Sequence, residues 1–223
     1  MESVKKTLVL FSGGRDSSAA AVEMIRSGYF IKLFTYQTGP ELAGPFGDSA
    51  PSIRHRELTK VFPQKIDPER VLTGNMYLVK KLAIDKTNST HVVYPIALTL
   101  SFLSGAILYC LENGINDITC GYSGYQAKED RYIEQHDDFF DLTKLFLKEY
   151  GLDYHAPIIK KTKQEVMDIL EQCGISSNSL EVKSIFGAVP FEVDKALEYW
   201  NEAVPVCREH IARMRSLNTS LQY

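Results

Sequence analysis

Apolar and polar positions run along this chain in blocks. Residues 7–11, "TLVLF", form a short uninterrupted apolar run, and "IKLFT" at 31–35 is a second. Runs of this kind predict strands buried on both faces, the type found in parallel sheets. Between them, residues 17–26 predict a helix, and Gly28 stands where a helix C-terminus places its glycine. The three pieces make a βαβ unit. The pattern then repeats. Residues 53–62 predict a helix, 69–72 a short strand, 94–112 a long helix closed by Asn113-Gly114, and "DITCG" at 117–121 a strand. Residues 139–149 predict a helix, and "DYHAPII" at 153–159 an edge strand with Pro157 near its end. Thr162 with Glu165 three residues on is the capping-box pattern of a helix start. After Pro190 the chain is mostly helical.

Strands alternating with helices predict an α/β fold with a doubly wound, mostly parallel sheet flanked by helices. That domain is expected over residues 1–170, with a small, mainly helical C-terminal extension over 171–223. Two segments break the pattern. "GPELAGPFGDSAPS" at 39–52 reads as a loop or lid, and "YSGYQAKEDRYIEQHDD" at 122–138 as a polar loop bearing aromatics.

Composition narrows the setting. At 223 residues with a net charge of −3, the chain has no broad basic footprint for nucleic acid. Its four cysteines form no C-x-x-C pair, which argues against a zinc site and for free thiols in a reducing, cytoplasmic setting. The apolar run behind the first residues is too short for a signal peptide. Residues 92–111 carry no charge over a length that spans a bilayer, but Pro95, Thr99, Ser101 and Ser104 interrupt them, and a buried helix of a soluble α/β protein is expected.

The segment following the first strand, "SGGRDS", carries the chemistry. In parallel folds, ligands bind beyond the carboxyl ends of the strands. Gly13 and Gly14 let the backbone approach an oxyanion, successive N–H groups form a concave anion site, and the next helix adds its positive end. Ser12 and Ser17 add hydroxyl donors. Asp16 is out of place beside a polyanion unless a cation lies between them or it accepts bonds from the loop's N–H groups. Mg²⁺ bridging carboxylate and phosphates is the economical explanation. The bland alternative is a tight strand–helix turn with Asp16 as a cap and no ligand.

"SGGRDS" resembles the SGGxDS signature of the PP-loop ATP pyrophosphatases, a superfamily that includes NAD synthetase, tRNA-lysidine synthetase and 4-thiouridine synthetase. The resemblance implies an adenine nucleotide alpha hydrolase-like fold that splits ATP into AMP and pyrophosphate while adenylating a substrate oxygen. Within it, "FTYQTG" with "RHREL", "YIEQHDDF" at 132–139 and "HAPIIKKTKQE" at 155–165 are similar to elements of the 7-cyano-7-deazaguanine synthase (QueC) family. Departures accompany them. The family's Asp, Cys and Arg become Glu134, Gln135 and His136, "YPIA" replaces its "PxRN", and its four-cysteine zinc cluster is absent.

By resemblance, Ser12, Gly13, Gly14, Arg15, Asp16, Ser17 and Ser18 hold pyrophosphate, with the Arg15 side chain expected to point to solvent. Asp16 supports Mg²⁺, and Gly121 lets adenine or ribose lie close to the backbone. Lys163 is the candidate for neutralising phosphate or carboxylate charge. Gln37, His55, Glu57, Tyr132 and His155 are candidates for substrate contact, with His155 equally suited to a structural role. Tyr122, Tyr125 and Tyr132 either stack on a flat base or are ordinary loop aromatics.

The implied function is an ATP-dependent, AMP-forming ligase. It adenylates the carboxylate of a 7-deazaguanine or similar small acid and passes it to ammonia or another amine, a protein acceptor included, as in QueC-like proteins of anti-phage defence. A homodimer is implied as well. The alternatives are a PP-loop enzyme that adenylates a tRNA base, and a non-catalytic ATP-binding regulatory subunit.

Overall fold

Five strands form one sheet: β1 (Lys6–Leu10), β2 (Phe30–Tyr36), β3 (Val71–Thr73), β4 (Asp117–Thr119) and β5 (Asp153–His155). The computed structural model describes residues 4–37, 49–83, 94–129, 135–178, 180 and 192–220. The strand order is β3-β2-β1-β4-β5, and each neighbouring pair is parallel. The helices that connect and follow them are α1 (Arg15–Arg26), α2 (Ala50–Val61), α3 (Met76–Ala83), α4 (Tyr94–Asn113), α5 (Gly124–Glu129), α6 (Asp137–Lys148), α7 (Lys163–Glu171) and α8 (Val193–Ser220).

The unalternated strands have both faces covered, as expected of a parallel sheet. Leu8, Leu10, Phe34 and Ile118 pack into one apolar layer with residues of α3, α4, α6 and α8. Val9, Ile31 and Leu33 pack into the other with α1, α7 and Leu58 of α2. The doubly wound α/β fold expected from the sequence is the fold observed.

Several bounds differ. The helix expected from residue 53 begins at Ala50, inside the segment read as a loop, because Pro51 falls in the first turn where a missing N–H costs nothing. Residues 38–48 lie outside the described residues. The polar stretch after β4 contains the short helix α5, and α3 went unread. Its signal was present: Leu78, Val79, Leu82 and Ala83 are buried at helical spacing, and the Asn75 side chain accepts from Leu78 N at 3.0 Å. The strand read over 153–159 stops at His155. The capping box at Thr162 is present: Thr162 Oγ1 accepts from Glu165 N at 3.3 Å while Glu165 Oε2 accepts from Thr162 N at 2.7 Å.

α4 is apolar on most sides because it is enclosed. Its stretch from Pro95 to Asn113 is long and apolar enough to cross a membrane by length and composition. Here Ile96, Ala97, Leu100, Leu103, Ala106, Ile107 and Cys110 are buried in the core. α8 covers α4 with a stripe of Ala196, Tyr199, Trp200, Ala203, Val204, Cys207 and Ile211. Tyr199 also donates to the Leu82 carbonyl at 2.7 Å. The thiols of Cys110, Cys120 and Cys207 are buried and unpaired.

Trp200 is buried, with its ring edge-on to Phe139 at 5.7 Å between centroids. Trp200→Ala is expected to cost about 3–5 kcal/mol, the usual range for emptying a large aromatic site. Urea unfolding followed by circular dichroism checks this through a lowered midpoint.

Candidate functional site

β1 is flanked by β2 on one side and β4 on the other, so the chain reverses its direction of winding between β1 and β4. A crevice opens beyond the carboxyl ends of two such strands, because their connections leave toward opposite faces. Residues 12–17 follow β1 into this place, and residues 121–125 follow β4.

The two segments touch through glycine. A Cβ on Gly121 would lie 2.5 Å from Ser17 N and 2.6 Å from Ser17 Cα, so only glycine lets β4 exit against the first turn of α1. The side of Gly121 that a Cβ would occupy therefore belongs to the loop. Gly13 is held on the opposite side. Its φ is +77°, and a Cβ there would meet Pro51 N of α2 at 2.3 Å. Gly14 then serves as the N-cap of α1 without any side-chain capping bond. The first-turn amides of a twelve-residue helix therefore start at the carboxyl edge of the sheet uncapped, with the positive end of the helix dipole behind them. Ser12 Oγ lies 3.2 Å from both Ser17 Oγ and Gly14 N, bracing the turn. Ser18 is fully buried and donates to the Gly14 carbonyl at 2.7 Å, so its hydroxyl is part of the scaffold.

Asp16 is buried and clasped. Tyr125 Oη donates to its carboxylate, 2.7 and 2.9 Å from the two oxygens, and Ser123 Oγ donates at 3.2 Å. Arg15 Nε adds a longer contact at 3.4 Å, and Arg15 Nη2 donates to Tyr125 Oη at 3.1 Å. The donors are side chains from the opposite segment, not the loop's own N–H groups. Arg15 is turned inward, contrary to the solvent-facing orientation expected of it. Burial works against its charge, but the hydrogen bond and charge of Tyr125 and the charge of Asp16 outweigh that, and its pKa is raised. Burial, then the hydrogen bond and charge of Asp16, push the Tyr125 phenol up to about 12. Tyr125 thus stays protonated and donates throughout the physiological range.

This donor set bears on magnesium. Asp16 is the one carboxylate at the loop among the described residues, and both its oxygens already accept hydrogen bonds. No group of three His, Cys, Asp or Glu side chains able to hold a metal occurs among those residues. A Mg²⁺ at this place would be held mainly by phosphate oxygens and water, with Asp16 as its one carboxylate among the described residues.

The other candidates are dispersed. Gln37 follows β2, its N–H donating to the Thr73 carbonyl at 2.6 Å. His55 lies on α2 beside the Asp67 carbonyl at 3.2 Å, near the bridge from Ile66 to Ile31 low on β2. Burial is the main cause of its lowered pKa. Glu57 is taken by Arg54 at 2.6 Å. His155 Nε2 lies 2.6 Å from Asp117 Oδ1, and the Tyr29 hydroxyl donates to the same oxygen at 3.5 Å. Asp117 begins β4 and Tyr29 precedes β2, so His155 turns toward the amino edge of the sheet, away from the loop. Lys163 is exposed in the first turn of α7. Tyr132 and Glu134 lie outside the described residues. Ser123 and Gln135 were not singled out for this site. Gln135 Oε1 accepts from Ser123 N at 3.4 Å, and its Nε2 donates to Gln126 at 3.0 Å, which steadies the segment carrying Tyr125.

Gly121→Ala places a methyl group against backbone that cannot yield. The variant is expected to keep its circular dichroism spectrum and to bind pyrophosphate at least roughly tenfold more weakly, measured by calorimetry, because the first turn of α1 is displaced.

A probable tRNA sulfurtransferase of Saccharolobus islandicus (strain M.16.27) is 25% identical over 187 residues, covering 79% of this chain and 43% of that protein. The chain thus spans less than half the length of the curated relative it matches. A 4-thiouridine synthetase solved as an RNA complex with bound ATP has a similar fold, with a TM-score of 0.57 and 16% identity. That similarity covers 93% of this chain and 53% of the other. The sequence profile of the queuosine biosynthesis protein QueC matches residues 6–182, which takes in all five strands, the loop and the Asp16 clasp: the chain belongs to the QueC family.

Proposed function

We propose that the chain binds ATP through residues 12–18 and adenylates an oxygen carried by a purine-like or other nucleobase-type substrate. The observation that carries this reading is the uncapped start of α1 at the β1–β4 crevice, with Asp16 clasped beside it. A substrate oxygen attacks the α-phosphorus, the bond to the bridging oxygen breaks, and pyrophosphate leaves with the electron pair. The leaving group gains negative charge in that step, where preoriented amides and a helix terminus act best. Asp16 does not repel it strongly, because Tyr125, Ser123 and Arg15 already compensate its charge. A second nucleophile then displaces AMP.

Two substrates have support. Family membership favours the carboxylate of a 7-deazaguanine, with ammonia or another amine as second nucleophile. The tRNA sulfurtransferase relatives favour a tRNA base, and their likeness extends over 79% of the chain. The acidic composition put the tRNA base second; the relatives weigh at least as much, and we rank it no lower. Burial pushes Cys110 to about 12 and Cys120 and Cys207 to about 11, so none of these three is a thiolate at neutral pH. On either substrate the step assigned to residues 12–18 is adenylation. A cytoplasmic setting follows from either substrate.

The test supplies ATP with bulk tRNA in one arm, and with 7-carboxy-7-deazaguanine and ammonium in the other, and measures AMP and pyrophosphate. AMP formed in the tRNA arm alone selects the base, and in the second arm alone the carboxylate. Tyr125→Phe is expected to lower kcat/KM about tenfold to a hundredfold, the range for losing a hydrogen bond to a charged group. Asp16→Asn is expected to lower it at least as far. ATP bound without AMP in either arm would return the chain to a binding role.

A further inference from the structure

Arg70 stands just ahead of β3, and its guanidinium reaches the first turn of α2, where Nη2 donates to Ser52 Oγ at 3.0 Å. Its remaining nitrogens, Nε and Nη1, are buried and have no hydrogen-bond partner. A guanidinium carries its charge at every accessible pH, so donors left unpaired in this way cost stability. Burial alone accounts for its lowered pKa.

Among the described residues, no carboxylate pairs with Arg70. The Asp67 carboxylate, three residues away, is taken by Lys32 Nζ at 3.0 Å and by Glu69 N at 2.9 Å. His55 feels Arg70 and Lys32 as like charges, after the larger effect of burial. Arg54 gives the contrast. It is also buried and its Nε also lacks a partner, but its charge is matched by Glu57 and its terminal nitrogens donate to the carbonyls of Ser176 and Asn178, so the difference at Arg70 is the missing counter-ion.

The position of Arg70 gives these unpaired donors a purpose. Its anchor, Ser52, follows Pro51, whose backbone nitrogen is the atom a Cβ on Gly13 would strike at 2.3 Å. The guanidinium is therefore tied down one residue from the contact between α2 and the phosphate loop. We propose that Arg70 binds an oxyanion of the reacting substrates beside this loop, either a phosphoryl group of the nucleotide or the carboxylate of an acid co-substrate. The loop and Arg70 then hold the anion from two sides, one with backbone amides and one with a fixed charge. This assignment rests on the reading of residues 12–18 as the phosphate site.

The test compares wild type with Arg70→Met, which keeps the stem and removes the charge. Calorimetry measures affinity for pyrophosphate, ATP and 7-carboxy-7-deazaguanine, and thermal unfolding is followed without ligand. The expected result is binding at least roughly tenfold weaker, with an unliganded midpoint unchanged or raised, because a buried unpaired cation has been removed. A loss confined to pyrophosphate and ATP identifies the phosphoryl group, and a loss confined to the acid identifies the carboxylate. Arg70→Lys keeps the charge and is expected to lose about threefold to tenfold; it supplies the measurement if Arg70→Met does not fold. Wild-type affinities retained in full by the variant overturn the role of Arg70 and leave the loop intact. Wild-type protein that binds none of the three probes overturns the loop reading and this one with it.

Discussion

β1 and β4 run side by side and parallel although about a hundred residues of chain separate them. Parallel neighbours bring their carboxyl ends to the same edge, so this pairing sets the segment after β1 against the segment after β4. The spacing of adjacent strands leaves no room for a side chain between the two segments, and Gly121 supplies none. Once they touch, the Asp16 carboxylate reaches Tyr125 and Ser123, and that contact fixes both loops. The active edge thus depends on one strand pairing and one missing Cβ, with the carboxylate as the lock.

A negative charge beside an anion site looks self-defeating until the donors around it are considered. Asp16 accepts from a phenol that stays protonated and from a buried hydroxyl, and it sits next to a guanidinium shared with that phenol. A compensated carboxylate of this kind orients its surroundings and presents little net field to a phosphate. On the far side of β1 the balance is reversed. Around Arg70 the carboxylate is committed elsewhere and the cation is left with open donors. Among the described residues, the two flanks of the loop differ in electrostatic character, compensated toward β4 and positive toward β3.

The strands, the loop and the principal helices were legible because each is a local pattern: an unalternated apolar run, a glycine pair, a capping box. The partners of Asp16 were not. Ser123 and Tyr125 lie more than a hundred residues from it in sequence, and their role exists only once β4 has docked beside β1. The sequence marks Tyr125 as an aromatic for stacking on a base or as an ordinary loop residue, and says nothing of the hydroxyl that clasps Asp16. The two histidines misled for a related reason. His55 and His155 sit in motif-like stretches, but a helix running down from the carboxyl edge carries one to the side of β2, and a strand register aims the other at Asp117. α3 was overlooked because eight residues give too few turns for the periodic pattern to stand out.

The departures from the QueC pattern have a physical reading of their own. By the resemblance of "YIEQHDDF" to the family's motif, Gln135 falls where that motif carries a cysteine, and its amide is spent inside the protein, accepting from Ser123 N and donating to Gln126. An amide can bridge two segments in this way because it both donates and accepts, whereas a thiol does neither well. The substitution therefore stiffens the segment that carries Ser123 and Tyr125 and so supports the Asp16 clasp. The part of the crevice proposed to take the nucleotide is built mostly from backbone, namely two glycines and one uncapped helix start, and such an arrangement is indifferent to the acceptor. Where the acceptor changes, the change must fall on side chains around that constant frame, and Gln135 is one that has already been drawn into it.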